Sequence, residues 1–90
     1  MTPEKAEILA LECLGWLAGD PDSIQRFLDL SGTSAADLRA AAGEPGTCLA
    51  VLDFLLGNEE LLLKFCESTG LDPRQVNAAR HALGRDADFA

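Results

Sequence analysis

Hydrophobic residues recur along this chain at the three- and four-residue spacing of amphipathic helices, in segments separated by glycines. Ile24, Phe27 and Leu28 follow this spacing in the first half, and residues 62–66 follow it in the second. No segment shows the sustained alternation of apolar and polar residues that is typical of a strand. We therefore predict an all-α fold, a bundle of about six short helices with short connections.

The two halves of the chain repeat each other at an offset of 38 residues. Identical or conservative pairs at this offset include Trp16/Phe54, Leu17/Leu55, Gly19/Gly57, Phe27/Phe65 and Gly32/Gly70. A shared period of this kind marks one supersecondary unit used twice. We predict a single domain over residues 1–90, with one three-helix unit over 3–43, a second over 45–84, and a tail over 85–90. The units are expected to pack with approximate two-fold pseudosymmetry.

Glycines and capping residues predict the helix ends. In each unit a glycine, Gly19 or Gly57, ends the first helix, and we expect it to take the left-handed conformation. Asp20 and Asn58 follow as N-caps, whose side-chain oxygens are expected to accept backbone N–H groups. The remaining signals are Gly32 and Gly70 at the end of the second helix, capping-box spacing at 34–37 and 72–75, and a break at 43–46, where Gly46 is expected to delay the fourth helix.

Apolar residues at equivalent positions of the two units predict the core. Neither unit could bury its apolar face alone, so contacts between the units must supply the core. The predicted core residues are Leu14, Trp16, Leu17, Ile24, Phe27, Leu38, Leu52, Phe54, Leu55, Leu62, Phe65 and Val76.

The second unit carries more leucine than one apolar helix face requires. Ala18, Ser23 and Gln25 of the first unit correspond to Leu56, Leu61 and Leu63. Leaving a leucine exposed forgoes about 1.5–3 kcal/mol of possible burial. Two interpretations stay open. The N-terminal extension of the first helix, with Ile8 and Leu9, covers these leucines within the chain, or they form an interface for a second copy or another protein.

Charge and composition exclude several classes of function. The formal net charge of −8 opposes non-specific binding to nucleic acid or anionic lipid. Glu7 and Glu12 interrupt the apolar N-terminal run, so we expect neither a signal peptide nor a membrane span, and we place the protein in the cytoplasm. The three cysteines show no metal-binding or disulfide spacing and are interpreted as small buried hydrophobes.

Residues suited to catalysis are few, since the chain has no tyrosine, a single histidine and no phosphate-binding loop. A metal site formed by His81, Asp86 and Asp88 matches no known ligand spacing. Asp20 and Asp22 lack the ligand pattern of a calcium loop, and helix capping explains Asp20 better. We therefore predict a protein that is not an enzyme and has no cofactor or metal.

A helix-turn-helix is the alternative interpretation. Cys66, Gly70, Val76 and Ala79 have the spacing of two helices that cross through a tight turn. The second helix, over residues 72–83, would then present side chains suited to phosphates and base edges. The candidate anion or nucleic-acid contacts in and just after this helix are Arg74, Gln75, Asn77, Arg80, His81 and Arg85. The first unit has the same spacing with a helix made mostly of alanine, so the pattern also describes how each unit folds.

The segments over 14–32, 38–45, 51–73 and 76–83 resemble a bacterial family of short proteins known as domain of unknown function 3572. The likeness covers nearly the whole chain, and FLLGNEELLLKFCESTGLDP (residues 54–73) is its most specific part. The resemblance implies a small cytoplasmic bacterial helical protein and brings no catalytic residue, cofactor or partner. Together these features predict a non-catalytic protein-protein interaction module, which acts through an interface at Leu56, Leu61 and Leu63 or through the basic final helix.

Overall fold

The computed structural model describes the backbone of residues 1–89 and the side chains of residues 1–84. Within this range the protein consists of six α-helices and has no strand, so the all-α prediction is confirmed. The helices are α1 (Pro3–Ala18), α2 (Pro21–Ser31), α3 (Ala35–Ala40), α4 (Pro45–Leu56), α5 (Glu59–Thr69) and α6 (Pro73–Phe89). Helix α6 runs past the predicted end at residue 83 and includes most of the segment that we expected to be a tail.

Prolines begin four of the helices. Pro3, Pro21, Pro45 and Pro73 each occupy the first position of a helix, where a missing N–H costs nothing and the fixed φ angle suits the helix. The expectation that Gly46 delays the fourth helix is wrong, since α4 begins at Pro45 and Gly46 is its second residue.

Side-chain caps form at most of the predicted helix starts. Asn58 accepts a hydrogen bond from the N–H of Leu61 at 3.2 Å, and Ser34 accepts one from the N–H of Asp37 at 3.1 Å. Asp20 stands at the predicted capping position, but its carboxylate makes no cap and accepts the Ser23 hydroxyl at 2.6 Å instead. The Ser23 hydroxyl, rather than a backbone N–H of the first turn, is the donor to this carboxylate.

Two kinds of glycine end the helices, and only one kind is left-handed. Gly32 and Gly70 have φ angles of 69° and 76°, which favour glycine over any residue with a Cβ. The prediction of the same conformation at Gly19 and Gly57 is wrong, because their φ angles are −76° and −78°. A close approach explains these two residues, since an added Cβ at Gly57 would lie 3.2 Å from the carbonyl oxygen of Asp53.

The core draws on all six helices and contains no polar side chain among those described. Eight of the twelve predicted core residues are buried, and the other four pack against the core while half-buried. The buried eight are Leu17, Phe27, Leu38, Leu52, Leu55, Leu62, Phe65 and Val76, and the half-buried four are Leu14, Trp16, Ile24 and Phe54. The predicted core omitted Ala6, Leu9 and Ala10, which together with the buried Cys13 make the first half of α1 a core element.

Helices α1, α4 and α6 pack against one another at the centre of the molecule, with α2 against α1 and α5 against α4. Helix α3 is the exception to the repeated arrangement. It has only six residues and contacts other helices sparsely, whereas its counterpart α6 packs against both α1 and α4. Gly43 and Pro45 follow α3 closely, and a proline cannot continue a preceding helix without loss of a hydrogen bond.

Aromatic rings connect the two units. Trp16 of α1 contacts Phe65 of α5 edge-to-face, with ring centroids 5.5 Å apart. Phe54 of α4 contacts Phe27 of α2 in the same geometry at 5.4 Å. The two contacts are equivalent under the 38-residue offset. Trp16 corresponds to Phe54, and its partner Phe65 corresponds to Phe27. Each unit therefore receives a ring from the first helix of the other unit.

Candidate functional site

The three leucines of the predicted interface do not form one patch. Leu61 is buried, Leu56 is half-buried against the core, and Leu63 has 52% of its surface exposed. Ile8, which would help cover these leucines under one of the two interpretations, is itself 57% exposed, although Leu9 is buried. Only Leu63 is therefore available to a partner without a change in the fold.

The arginines of the predicted nucleic-acid surface have acidic partners within the chain. Arg74 forms an ion pair with Asp72 at 3.2 Å, and hydrogen bonds from Arg74 lower the pKa of that carboxyl group. Arg80 forms an ion pair with Asp53 of α4. Both pairs are solvent-exposed and would yield at small cost to a strong anion.

The other predicted contacts on α6 divide between capping and exposure. The side-chain oxygen of Gln75 accepts the N–H of Asp72 at 2.8 Å, which completes the predicted capping box. Asn77 donates to the carbonyl of Pro73 at 3.4 Å, and His81 is exposed. The side chain of Arg85 lies outside the described residues. The helix-turn-helix interpretation stays a prediction.

All three cysteines lie in the core. Burial, together with a smaller contribution from the neighbouring Cys66, raises the pKa of Cys13 to about 12. A thiol with such a pKa stays protonated and is a poor nucleophile near neutral pH. Within residues 1–84 no three histidine, cysteine or carboxylate side chains come together as metal ligands, and the Asp86 and Asp88 side chains of the weighed metal site lie outside that range.

An apolar groove lies between α1, α2 and α3. This first-unit groove has a volume of about 440 Å³, and apolar side chains form most of its walls. Its lining residues are Leu11, Leu14, Gly15, Ala18, Ile24, Ala35, Leu38, Arg39 and Ala42. Leu11 is 38% exposed, so part of the apolar wall faces solvent directly.

The second unit has larger residues at the equivalent positions. Gly15 corresponds to Asp53 and Ala42 to Arg80, the two partners of the ion pair between α4 and α6. Ala18 corresponds to Leu56, which packs against the core. The groove is therefore open in the first unit because three small residues stand where the second unit has larger ones.

A second depression, the junction cleft, lies where the two units meet. It has a volume of about 280 Å³, and every residue of its lining has its 38-residue counterpart in the lining as well. The five pairs are Trp16/Phe54, Asp20/Asn58, Asp22/Glu60, Ser23/Leu61 and Arg26/Lys64. The two units therefore contribute equivalent positions to the two sides of this cleft.

The sequence analysis identified neither surface. It treated Leu56 as an excess leucine in the second unit. In the structure, the difference between Ala18 and Leu56 matters in the first unit, where the smaller Ala18 leaves space in the groove. The available signal was a difference between the two units at three equivalent positions. The first unit has the small residues Gly15, Ala18 and Ala42 where the second has Asp53, Leu56 and Arg80. Its meaning depends on α1 and α3 bordering the same groove, which helical periodicity alone does not show.

Of three comparisons with known proteins, one gave a match. Searches of curated proteins and of solved structures found no match to this chain. No helix among the described residues is long and apolar enough to cross a membrane, and the cytoplasmic location stays a prediction. The sequence model of one family matches residues 3–86, nearly the whole chain. The protein therefore belongs to the family described as "Protein of unknown function (DUF3572)".

Proposed function

We propose that the protein is a non-catalytic protein-binding module whose first-unit groove receives a short amphipathic helix from a basic partner protein. The observation that carries the proposal is the groove itself, an open apolar space between three helices, at positions where the second unit has an ion pair and a packed leucine. Apolar grooves between helices are a common site for the apolar face of a partner helix.

The second unit indicates what the groove accepts. There, Leu56 packs against the core at the position that Ala18 occupies in the first unit. A partner that supplies a leucine or a similar branched aliphatic side chain beside Ala18 would complete the first unit in the same way. An aliphatic anchor in a pocket is also the feature that contributes most of the affinity in many interfaces.

Charge favours a partner rich in lysine and arginine. The chain has a net charge of −8, which attracts basic proteins and accelerates their association. Glu7 lies near one end of the groove, in the same helical row as Leu11 and Leu14 and close to Gly43. Arg39 is the single cation of the lining, so the partner helix would place its own acidic or neutral side there.

Buried thiols support the non-catalytic part of the proposal. The cysteines would be the usual nucleophiles in such a small chain, but burial raises the pKa of each thiol. The aliphatic residues that line the groove offer contact area without a group that transfers protons.

A groove-filling variant tests the proposal. Ala18→Leu copies Leu56 into the first unit and should occupy the space that the partner side chain needs. Leu63→Ser is the matched control, since Leu63 is exposed on α5 and does not line the groove. Tagged wild-type protein and both variants are incubated with extract of the source cells, and the retained proteins are quantified by mass spectrometry.

We expect proteins that wild type and Leu63→Ser retain equally and that Ala18→Leu loses by about tenfold or more, which corresponds to about 1.4 kcal/mol of binding free energy. Each such protein should contain a helix with lysine or arginine beside an aliphatic face, and a synthetic peptide of that helix should bind directly. Loss with Leu63→Ser instead would move the interface to α5. Identical retention by all three proteins would refute the groove as the binding site.

A further inference from the structure

We propose that the junction cleft binds a small zwitterion, an α-amino acid with an apolar side chain. The cleft shares no lining residue with the first-unit groove, so this inference does not depend on the proposed function. It rests on the size of the cleft, its aromatic surface, and one pair of opposite charges on α2.

The size and the apolar surface suit a small ligand. The cleft volume of about 280 Å³ is close to the lower limit of about 300 Å³ for small-molecule sites. The rings of Trp16 and Phe54 are half-buried in its lining, and the buried Leu61 lies beside them. These three side chains offer an apolar surface to an aliphatic or aromatic side chain.

Most of the polar groups of the cleft already have partners. Lys64 forms an ion pair with Glu60 at 3.4 Å, and the carboxylate of Asp20 accepts the hydroxyl of Ser23. The exceptions are one acid and one base. Asp22 and Arg26 make no ion pair or side-chain hydrogen bond with any side chain of residues 1–84.

Asp22 and Arg26 stand four residues apart on α2, so their side chains lie on the same face of the helix. An α-amino acid carries an ammonium group, which can donate a hydrogen bond to the carboxylate of Asp22. It also carries a carboxylate, which can accept two hydrogen bonds from the guanidinium of Arg26. A ligand with only a positive charge would meet Arg26, and a ligand with only a negative charge would meet three carboxylates in the lining. The zwitterion is the charge type that satisfies both free groups.

The single tryptophan of the protein makes the test direct. Trp16 lines the cleft, so its fluorescence reports on occupancy. The intact protein is titrated with L-phenylalanine and with L-leucine, and then with phenethylamine and 3-phenylpropionate, which each keep only one of the two charges. The same titrations use Arg26→Gln and Asp22→Asn, with Arg39→Gln as a charge-matched control outside the cleft.

We expect a saturable fluorescence change with at least one of the two amino acids, at a dissociation constant on the order of 1 mM or below. The single-charge analogues and the two cleft variants should each bind about tenfold more weakly, since each loses one charge-assisted contact, while Arg39→Gln should bind as wild type does. No saturable change with either amino acid up to about 10 mM would overturn the proposal. So would equal affinity for phenylalanine and both analogues, or unchanged binding by both cleft variants.

Discussion

Two double-mutant cycles test whether aromatic contacts between the units hold the fold together. One cycle combines Trp16→Leu with Phe65→Leu, and the other combines Phe54→Leu with Phe27→Leu. Leucine keeps an apolar side chain at each site but removes the edge-to-face geometry. With centroids 5.5 and 5.4 Å apart and interplanar angles of 70° and 73°, each cycle should give a coupling free energy of about 0.5–1.5 kcal/mol.

The variants should stay folded well enough for measurement. A chain of 90 residues is expected to have a free energy of unfolding of about 5–13 kcal/mol. A single substitution such as Phe65→Leu should cost about 1–2 kcal/mol, because it removes contacts of a fully buried ring without introducing a polar group. The double variants should therefore retain a cooperative unfolding transition.

Urea unfolding followed by circular dichroism of the helices is the assay, because Trp16→Leu removes the only tryptophan. The control is the crossed cycle of Trp16→Leu with Phe27→Leu, which pairs two rings of the same unit. The described rings make no edge-to-face contact within a unit, so this cycle should be additive within about 0.5 kcal/mol. Strong coupling in the crossed cycle, together with additivity between Trp16 and Phe65, would refute the exchanged arrangement.

Three further predictions follow from burial and charge. Leu61→Ser should lower the melting temperature by about 10 °C or more, because it removes most of a buried side chain and leaves a cavity. Leu63→Ser, at an exposed position, should change the free energy of unfolding by less than about 0.5 kcal/mol. Equal effects of the two substitutions in differential scanning calorimetry would contradict the burial of Leu61. Burial raises the pKa of Cys13 from 9.0 to about 12, so the unfolded protein loses the thiol proton at a lower pH than the folded protein does. The free energy of unfolding should therefore fall as the pH rises from 9.0 towards 12. In urea titrations at several pH values, the free energy of unfolding of Cys13→Ala should fall less over this range. The fluorescence anisotropy of a mixed-sequence nucleic-acid duplex at low salt should not change when the protein is added at tens of micromolar. Binding that Arg74→Ala and Arg80→Ala each weaken would instead support the helix-turn-helix interpretation.

Local sequence signals predicted the helices well because helix ends depend on neighbouring residues. Prolines at first positions, the caps at Ser34 and Asn58, and left-handed glycines at 32 and 70 act within one turn of the backbone. The same local reasoning was wrong at Gly19 and Gly57, because a two-residue connection brings the backbone against the preceding turn and keeps φ negative. The composition of that turn does not reveal how tightly the next helix folds back.

Periodicity predicted which faces are apolar but not how far each side chain is buried. Leu61 and Leu63 stand two residues apart in the same leucine run, yet one is buried at the junction of the units and the other faces solvent. The position of α5 against the other unit decides between them. In the same way, the buried first half of α1 depends on α4 and α6, which come much later in the chain.

The sequence by itself determined an all-helical chain, because hydrogen bonds, caps and amphipathic spacing are local properties. Only the tertiary structure decided which surfaces stay open. The groove beside Ala18 combines residues from three successive helices, and the cleft between Trp16 and Phe54 combines residues from both halves of the chain. Their existence depends on packing between those helices, and packing depends on the volumes of side chains on both sides of a contact.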